Sequence, residues 1–262
     1  MITAGVINID KPSSWTSHDV VAKIRSLLKI KRVGHAGTLD PMATGVLPIC
    51  FGAATKISSL LMNGEKEYEV TLRLGQETDT QDAAGKVLRS CIPPAFSTQV
   101  LEETLAGFVG TISQMPPIYS AIKIGGVPLY KLARKGLDIE RAPRLITIKR
   151  MQLLKVNGND ITFNVTCSKG TYVRTLCADI GTKLAIYGHA YSIRRLRAGF
   201  FSIDTAITLD AFRECFARGE WEDKVTSISE VLKFFSDDSP HLTSPYKGEE
   251  SPPWLRRGRG GL

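Results

Sequence analysis

The sequence predicts an α+β fold, with a mixed, mainly antiparallel central sheet flanked by helices. Segments of alternating apolar and polar residues carry the first part of this reading. Tyr68, Val70, Leu72 and Leu74 interleave with Glu67, Glu69, Thr71 and Arg73, the period of a half-buried strand. Two further strand-like segments, 145–156 and 161–167, flank Asn157-Gly158-Asn159-Asp160, a hairpin signal. Apolar residues at helical spacing recur between such segments, so helices are interspersed among strands instead of alternating strictly with them.

The elements follow in order. Ala4 to Asp10 reads as a short buried strand, ended at Lys11-Pro12 because proline cannot continue a ladder. Val20, Val21, Ile24, Leu27 and Leu28 recur at helical spacing, with Ser17 as the expected N-cap. Residues 34–45 (GHAGTLDPMATG) hold three glycines and a proline and read as a loop, followed by a strand from Val46 to Phe51 and a helix from Ala53 to Met62. Gly75 closes the alternating strand, and QETDTQDAAG reads as a loop. A helix is expected around Val100, Leu101, Leu105 and Phe108, and a short one from Leu129 to Lys135. After the hairpin come a loop at KGTY, a helix from Arg174 to Ala185, a strand from Tyr191 to Arg197 and a helix from Leu209 to Arg218.

The chain of 262 residues carries 34 Lys plus Arg against 26 Asp plus Glu, a formal net charge of +8. The excess is local. Residues 109–150 hold eight cations (Lys123, Lys131, Arg134, Lys135, Arg141, Arg144, Lys149, Arg150) opposed only by Asp138 and Glu140, so this stretch alone is +6. Such a stripe is the footprint of a phosphate-backbone partner, although a solvated basic surface reads the same way. No apolar run approaches the ~20 residues that span a bilayer. The first residues lack the basic and apolar regions of a secretory signal. Five scattered cysteines do not make a disulfide framework, so a reducing cytoplasm is the expected location. Residues 236–262 differ from the rest: twelve of the 27 are Gly, Pro or Ser and no periodicity is present, which predicts a disordered tail.

Chemically, the chain lacks GxxxxGK[ST], GxGxxG and CxxC, and His18, His35, His189 and His241 lack metal-ligand spacing, so no cofactor and no metal are expected. The loaded stretch is HAGTLDPMATG, where Asp40 precedes Pro41 and has glycines on both sides. Rigid scaffolds present catalytic groups on such loops. On spacing alone, an aspartate capping a turn is the commoner explanation, and a lone His35 or Arg174 is more often structural.

Beyond spacing, GHAGTLDPMATGVLP resembles the signature of the bacterial tRNA pseudouridine synthases of the TruB family. INIDKPSSWTSHDVV is similar to that family's N-terminal Lys-Pro segment, and KEYEVTLRLGQETDTQDAAG to its tyrosine strand and following loop. PPIYSAIKIGGVPLYKLARKG resembles its inserted RNA-contacting segment, CSKGTYVRTLCADIG its arginine motif, and IRRLRAGFF the strand after it. These motifs run in order from residue 5 to about 215. The resemblance implies a pseudouridine synthase-like fold over residues 1–235, with 109–150 as an inserted, basic, RNA-clamping segment. It also implies isomerisation of uridine 55 in the T loop of tRNA. Asp40 matches the essential carboxylate, Tyr68 the tyrosine that stacks on the target base, and Arg174 the arginine that pairs with the aspartate. His35 matches the histidine that takes the place of the flipped base, and Lys11 lies in the Lys-Pro motif with a supporting role near the pocket. The family usually adds a C-terminal PUA-like domain, in whose place the tail at 236–262 is expected to stand. A monomer with the tRNA T arm as partner, and no membrane or metal, completes the expectation.

The chemistry fits those residue types. The base must leave C1′ through N1, turn, and return through C5, so it must first come out of the stack at a cost of a few kcal/mol. An aromatic face holds it while tolerating rotation. One carboxylate suffices because no water is activated, unlike the pair used by most glycoside hydrolases. Two rival readings remain at this point. A non-catalytic RNA-binding module would not need Asp40 and Arg174 together. A nucleoside or glycoside hydrolase would need a second carboxylate or a metal to activate water; Asp79 and Asp82 are candidates, but no metal motif accompanies them and an acidic loop is usually solvated.

Overall fold

The computed structural model describes residues 2–120, 122–129, 132 and 139–236. The order begins with β1 (Gly5–Lys11), α1 (Ser17–Leu28), β2 (Val33–His35) and β3 (Thr44–Phe51). A 3-10 turn (Gly52–Ile57) leads to α2 (Ser58–Asn63), then to β4 (Lys66–Leu74), β5 (Gln76–Thr78), β6 (Val87–Ser90) and α3 (Thr98–Ala106). Next come β7 (Gly110–Gln114), the two-residue strands β8 (Lys123–Ile124) and β9 (Val127–Pro128), β10 (Arg144–Asn157) and β11 (Asp160–Cys167). The last part holds α4 (Val173–Lys183), β12 (Gly188–Ala198), β13 (Phe201–Ser202), β14 (Ile207–Thr208), α5 (Leu209–Arg218), β15 (Val225–Thr226) and α6 (Ile228–Ser236).

Among the described residues, eleven strands join in one sheet with the path β14-β1-β3-β12-β4-β11-β10-β7. All pairings are antiparallel except β12 with β3 and β1 with β14, so the sheet is mixed and mainly antiparallel. The alternation in β4 is the one expected: Tyr68, Val70, Leu72 and Leu74 are buried, and Glu67, Glu69, Thr71 and Arg73 face away. β11 presents Ile161, Phe163, Val165 and Cys167 to the same core, against which α4 lays Val173, Leu176, Cys177 and Ile180. The Asn157–Asp160 hairpin forms, and α5 spans the residues expected of it.

Several local expectations are corrected. The N-cap of α1 is Thr16, not Ser17: Thr16 Oγ1 accepts from Asp19 N–H at 3.1 Å while the Asp19 carboxylate accepts from Thr16 N–H at 2.8 Å. Only Thr16 has an acidic residue three positions on, which makes that reciprocal pair possible. The loop at 34–45 narrows to 36–43, because Gly34 and His35 pair with β3 and Thr44 and Gly45 begin it. The segment at 53–62 starts as a 3-10 turn before becoming α-helical, and Gln76–Thr78 pairs with β6. Strand β12 extends past Tyr191–Arg197 at both ends. The ends of the basic stretch 109–150 are strands β7 and β10, whose Ile112, Ile146 and Ile148 pack into the core. Most of the helix expected at 129–135, and all of the tail after Ser236, lie outside the described residues.

One glycine carries the sheet's tightest junction. Gly45 has φ +102°, and a Cβ there would stand 2.2 Å from the carbonyl oxygen of Arg195, its parallel partner on β12. Gly219, the left-handed cap of α5 at φ +78°, has open space around it. Gly45→Ala is therefore expected to cost about 2–3 kcal/mol, from strain and collision together. Gly219→Ala is expected to cost about 1 kcal/mol, the left-handed penalty alone. Urea unfolding of both variants checks the difference, and equal losses would contradict it.

Candidate active site

The turn between β2 and β3 is bolted to the junction of β1 and α1. Ser17 Oγ accepts from Leu39 N–H at 2.9 Å and donates to Leu39 O at 3.1 Å. Pro41 O accepts from Ser14 N–H at 2.8 Å and from Lys11 Nζ at 3.2 Å. The backbone on both sides of Asp40 is thus fixed before its side chain makes any contact.

That side chain meets Arg174, the second residue of α4. Arg174 Nε donates to Asp40 Oδ2 at 2.7 Å and Nη2 to Oδ1 at 3.1 Å, the two-pronged geometry in which guanidinium and carboxylate match best. The remaining donors go to Thr80 O (Nη1, 2.8 Å) and Tyr119 O (Nη2, 2.9 Å), with Asp82 Oδ2 3.5 Å from Nη1. Only 5% of the Arg174 side chain is exposed, against 37% of Asp40. A buried cation therefore backs a carboxylate whose other side is open, as a group that must both hold still and reach a ligand requires.

Asp82 is buried, contrary to the expectation of a solvated acidic loop. Its Oδ1 accepts from Thr80 Oγ1 at 2.6 Å and from Ala84 N–H at 3.1 Å, while Asp79 Oδ1 accepts from Lys86 N–H at 2.8 Å. Both carboxylates shape the loop that offers Thr80 O to Arg174, and neither is poised as a second acid or base. That removes the basis of the hydrolase reading.

Lys11 is fully buried, and its three N–H donors meet three carbonyls: Pro12 at 2.9 Å, Trp15 at 2.7 Å and Pro41 at 3.2 Å. Burial pulls its pKa down from 10.5 to about 8, with Asp40 pulling the other way. Tyr68 lies on the buried face of β4, and burial raises its phenol's pKa. The guanidinium of Arg195 opposes that rise, and the charge of Asp40 also reaches the ring. His35 ends β2, half-buried, with its ring edge-on to His18 at 5.4 Å between centroids. Burial, then His18 and Arg195, push its pKa from 6.5 down to about 4, and Nδ1 has no hydrogen-bond partner among the described residues. The ring is neutral near pH 7.

Asp40, Arg174 and Lys11 therefore meet at one turn, with His35 at its entrance, while Tyr68 faces Arg195 across the β4–β12 pairing. The residues not singled out from sequence are Arg195, Asp82 in its pairing role, and the carbonyls of Thr80 and Tyr119. Arg195 did leave a signal. In a strand, two adjacent arginines must point to opposite faces, so one of Arg194 and Arg195 had to enter the core. Arg194 turns outward to Asp10 at 2.8 Å, and Arg195 turns in. Among the described residues, no three His, Cys, Asp or Glu are grouped to hold a metal ion, and no helix is long and apolar enough to cross a membrane.

Comparisons with known proteins converge on one group. A family model described as TruB family pseudouridylate synthase, N-terminal domain, matches residues 25–173, and one described as tRNA pseudouridylate synthase B C-terminal domain matches residues 174–233. The chain is 48% identical over 229 residues to tRNA pseudouridine synthase B of Syntrophotalea carbinolica, covering 87% of this chain and 74% of that protein. It is 45% identical over 234 residues to the protein of the same name from Francisella philomiragia, covering 89% and 76%. Among solved structures, it resembles a chain of a Cbf5-Nop10-Gar1 complex with TM-score 0.71 and 28% identity, over 88% of this chain and 62% of that one. It also resembles a chain of an H/ACA RNP bound to a substrate RNA containing 2′-deoxyuridine, with TM-score 0.66 and 26% identity, over 88% and 61%. The chain thus spans somewhat under two thirds of those longer structural relatives.

The state of His35 predicts a pH effect. The unfolded chain takes up a proton at this position below about pH 6.5, whereas the folded chain refuses it until about pH 4, so this residue's share of stability is present above 6.5 and lost on descent through 4. Urea melts at pH 7.5 and pH 4.5 should show a smaller acid loss for His35→Gln than for the parent. Equal losses would mean that His35 takes up its proton as readily folded as unfolded.

Proposed function

The chain belongs to the TruB family of tRNA pseudouridylate synthases, and from that premise we propose that it converts uridine 55 in the T loop of tRNA to pseudouridine, with Asp40 as the attacking carboxylate. The observation that carries the reading is the two-pronged Arg174–Asp40 pair, in which a buried guanidinium holds a half-open carboxylate. A nucleophile in base exchange must be an anion with a fixed direction and a site that admits the nucleotide while limiting water. Asp40 meets the first two requirements through Arg174 and the bolted turn.

The other assignments follow the chemistry of each group. Tyr68 supplies the aromatic platform on which the detached uracil turns from N1 to C5. Its burial keeps the ring from moving with the base. His35, neutral near pH 7, fills the stack vacated by the flipped nucleotide without importing a charge among the remaining bases. Lys11 holds the carbonyl of Pro41, the residue after the nucleophile. The basic part of 109–150 between β7 and β10, much of it outside the described residues, is the proposed partner of the T-arm backbone, where cations supply affinity and the shape of the RNA loop supplies specificity. Residues 1–235 act in this reading as one catalytic unit, a cytoplasmic monomer that needs no cofactor.

Pseudouridine mapping on an unmodified tRNA transcript, by carbodiimide stops to reverse transcription, tests the proposal. The parent chain is expected to modify uridine 55, and Asp40→Asn to lose at least ~10³-fold in rate while binding tRNA within about threefold. Product from Asp40→Asn at the parental rate would refute the role of Asp40. Product at another uridine alone would refute the position.

A further inference from the structure

We propose that Arg195, through contacts that lie beneath the site and not in it, is a positioning residue that fixes the Asp40 turn relative to the Tyr68 ring. The inference deepens the reading above and rests on it. Arg195 is 1% exposed, one of the largest fully buried side chains in the described core. Its Nε donates to Val46 O at 2.7 Å, Nη2 to Gly37 O at 3.0 Å and Nη1 to Thr38 O at 3.3 Å. Gly37 and Thr38 lie just before Asp40 and Val46 lies after it, so one guanidinium ties both ends of the catalytic turn.

The same residue faces Tyr68. In the register of β12 with β4, Arg195 stands directly opposite Tyr68, and opposite residues of an antiparallel pair share a face. Its backbone also pairs with Gly45 in parallel, at the contact too close for any Cβ. Arg195 therefore touches the two parts whose separation decides whether nucleophile and base meet. Among the described residues, no carboxylate accepts a hydrogen bond from it. A buried cation held by carbonyls and no carboxylate is costly where an apolar side chain would fill the same space. What the guanidinium adds is a planar fork whose three nitrogens reach carbonyls on either side of the turn, a spread that one nitrogen of a lysine placed at this position on β12 does not cover.

The consequence is geometric. A displacement of about 1 Å between reacting groups costs about 10²-fold in rate. Arg195→Lys, with Arg195→Gln beside it, should therefore melt as a cooperative fold and bind unmodified tRNA within about threefold of the parent, while single-turnover pseudouridine formation falls about 100-fold. Hydrogen exchange should accelerate at least tenfold across residues 36–46 and stay unchanged in α5 and the β10–β11 hairpin. A parental rate, a rate loss matched by lost tRNA binding, or an unaltered exchange pattern in 36–46 would overturn the proposal. Failure of both variants to fold would also overturn it, since the role would then be structural only. Absence of product from the parent chain would instead refute the functional reading, and the exchange pattern would still decide whether Arg195 holds the turn.

Discussion

The structure around the site depends on one buried guanidinium. Arg174 receives a carboxylate from the β2–β3 turn, a carbonyl from the loop after β5 and a carbonyl from the segment after β7, so three stretches of chain distant in sequence meet on one side chain. Its position makes these contacts necessary. A cation in the first turn of a helix sits at the positive end of the helix dipole, and burial removes the water that would otherwise solvate it. Asp40, together with Asp82 Oδ2 at 3.5 Å from Arg174 Nη1, supplies the negative charge that makes the position tolerable. The pairing in turn leaves Asp40 a single direction in which to act.

Charge is distributed asymmetrically around that carboxylate. Arg174, Lys11 and Arg195 are three buried cations, each satisfied by carbonyls or by Asp40, while Asp40 itself is partly open. Tyr68 and His35 add rings without adding charge near neutral pH. Buried cations around a half-open carboxylate favour an anionic group above it, and neutral rings favour an uncharged one. That combination suits a single nucleotide drawn out of an RNA loop.

The parts legible in the sequence were those set by local rules. The period of two in β4, the Asn-Gly signal between β10 and β11 and the helical spacing in α5 each produced the element expected, because the sheet and the core reinforce the local preference there. Legibility failed where a residue's neighbour came from far along the chain. Gly34 and His35 look like loop residues until β3 pairs with them, and Asp82 looks like a solvated acid until α4 brings Arg174 beside it. Arg195 falls between these cases: period-two reasoning requires one of two adjacent arginines to point inward, but only the β12–β4 register says that Tyr68 is what it faces. Family motifs located Asp40, Tyr68 and Arg174 in the sequence, whereas the three carbonyls that Arg195 holds belong to the backbone and leave no trace in residue identity.

The fork of Arg174, and not its charge alone, orients Asp40. Arg174→Lys tests it, because lysine keeps the charge and loses the two-pronged grip. Single-turnover pseudouridine formation at saturating unmodified tRNA should be measured together with the tRNA dissociation constant and the thermal midpoint. Near-parental binding, a folded variant and a rate reduced by about 10²-fold or more are expected. A folded Arg174→Lys chain that forms pseudouridine at the parental rate would contradict it.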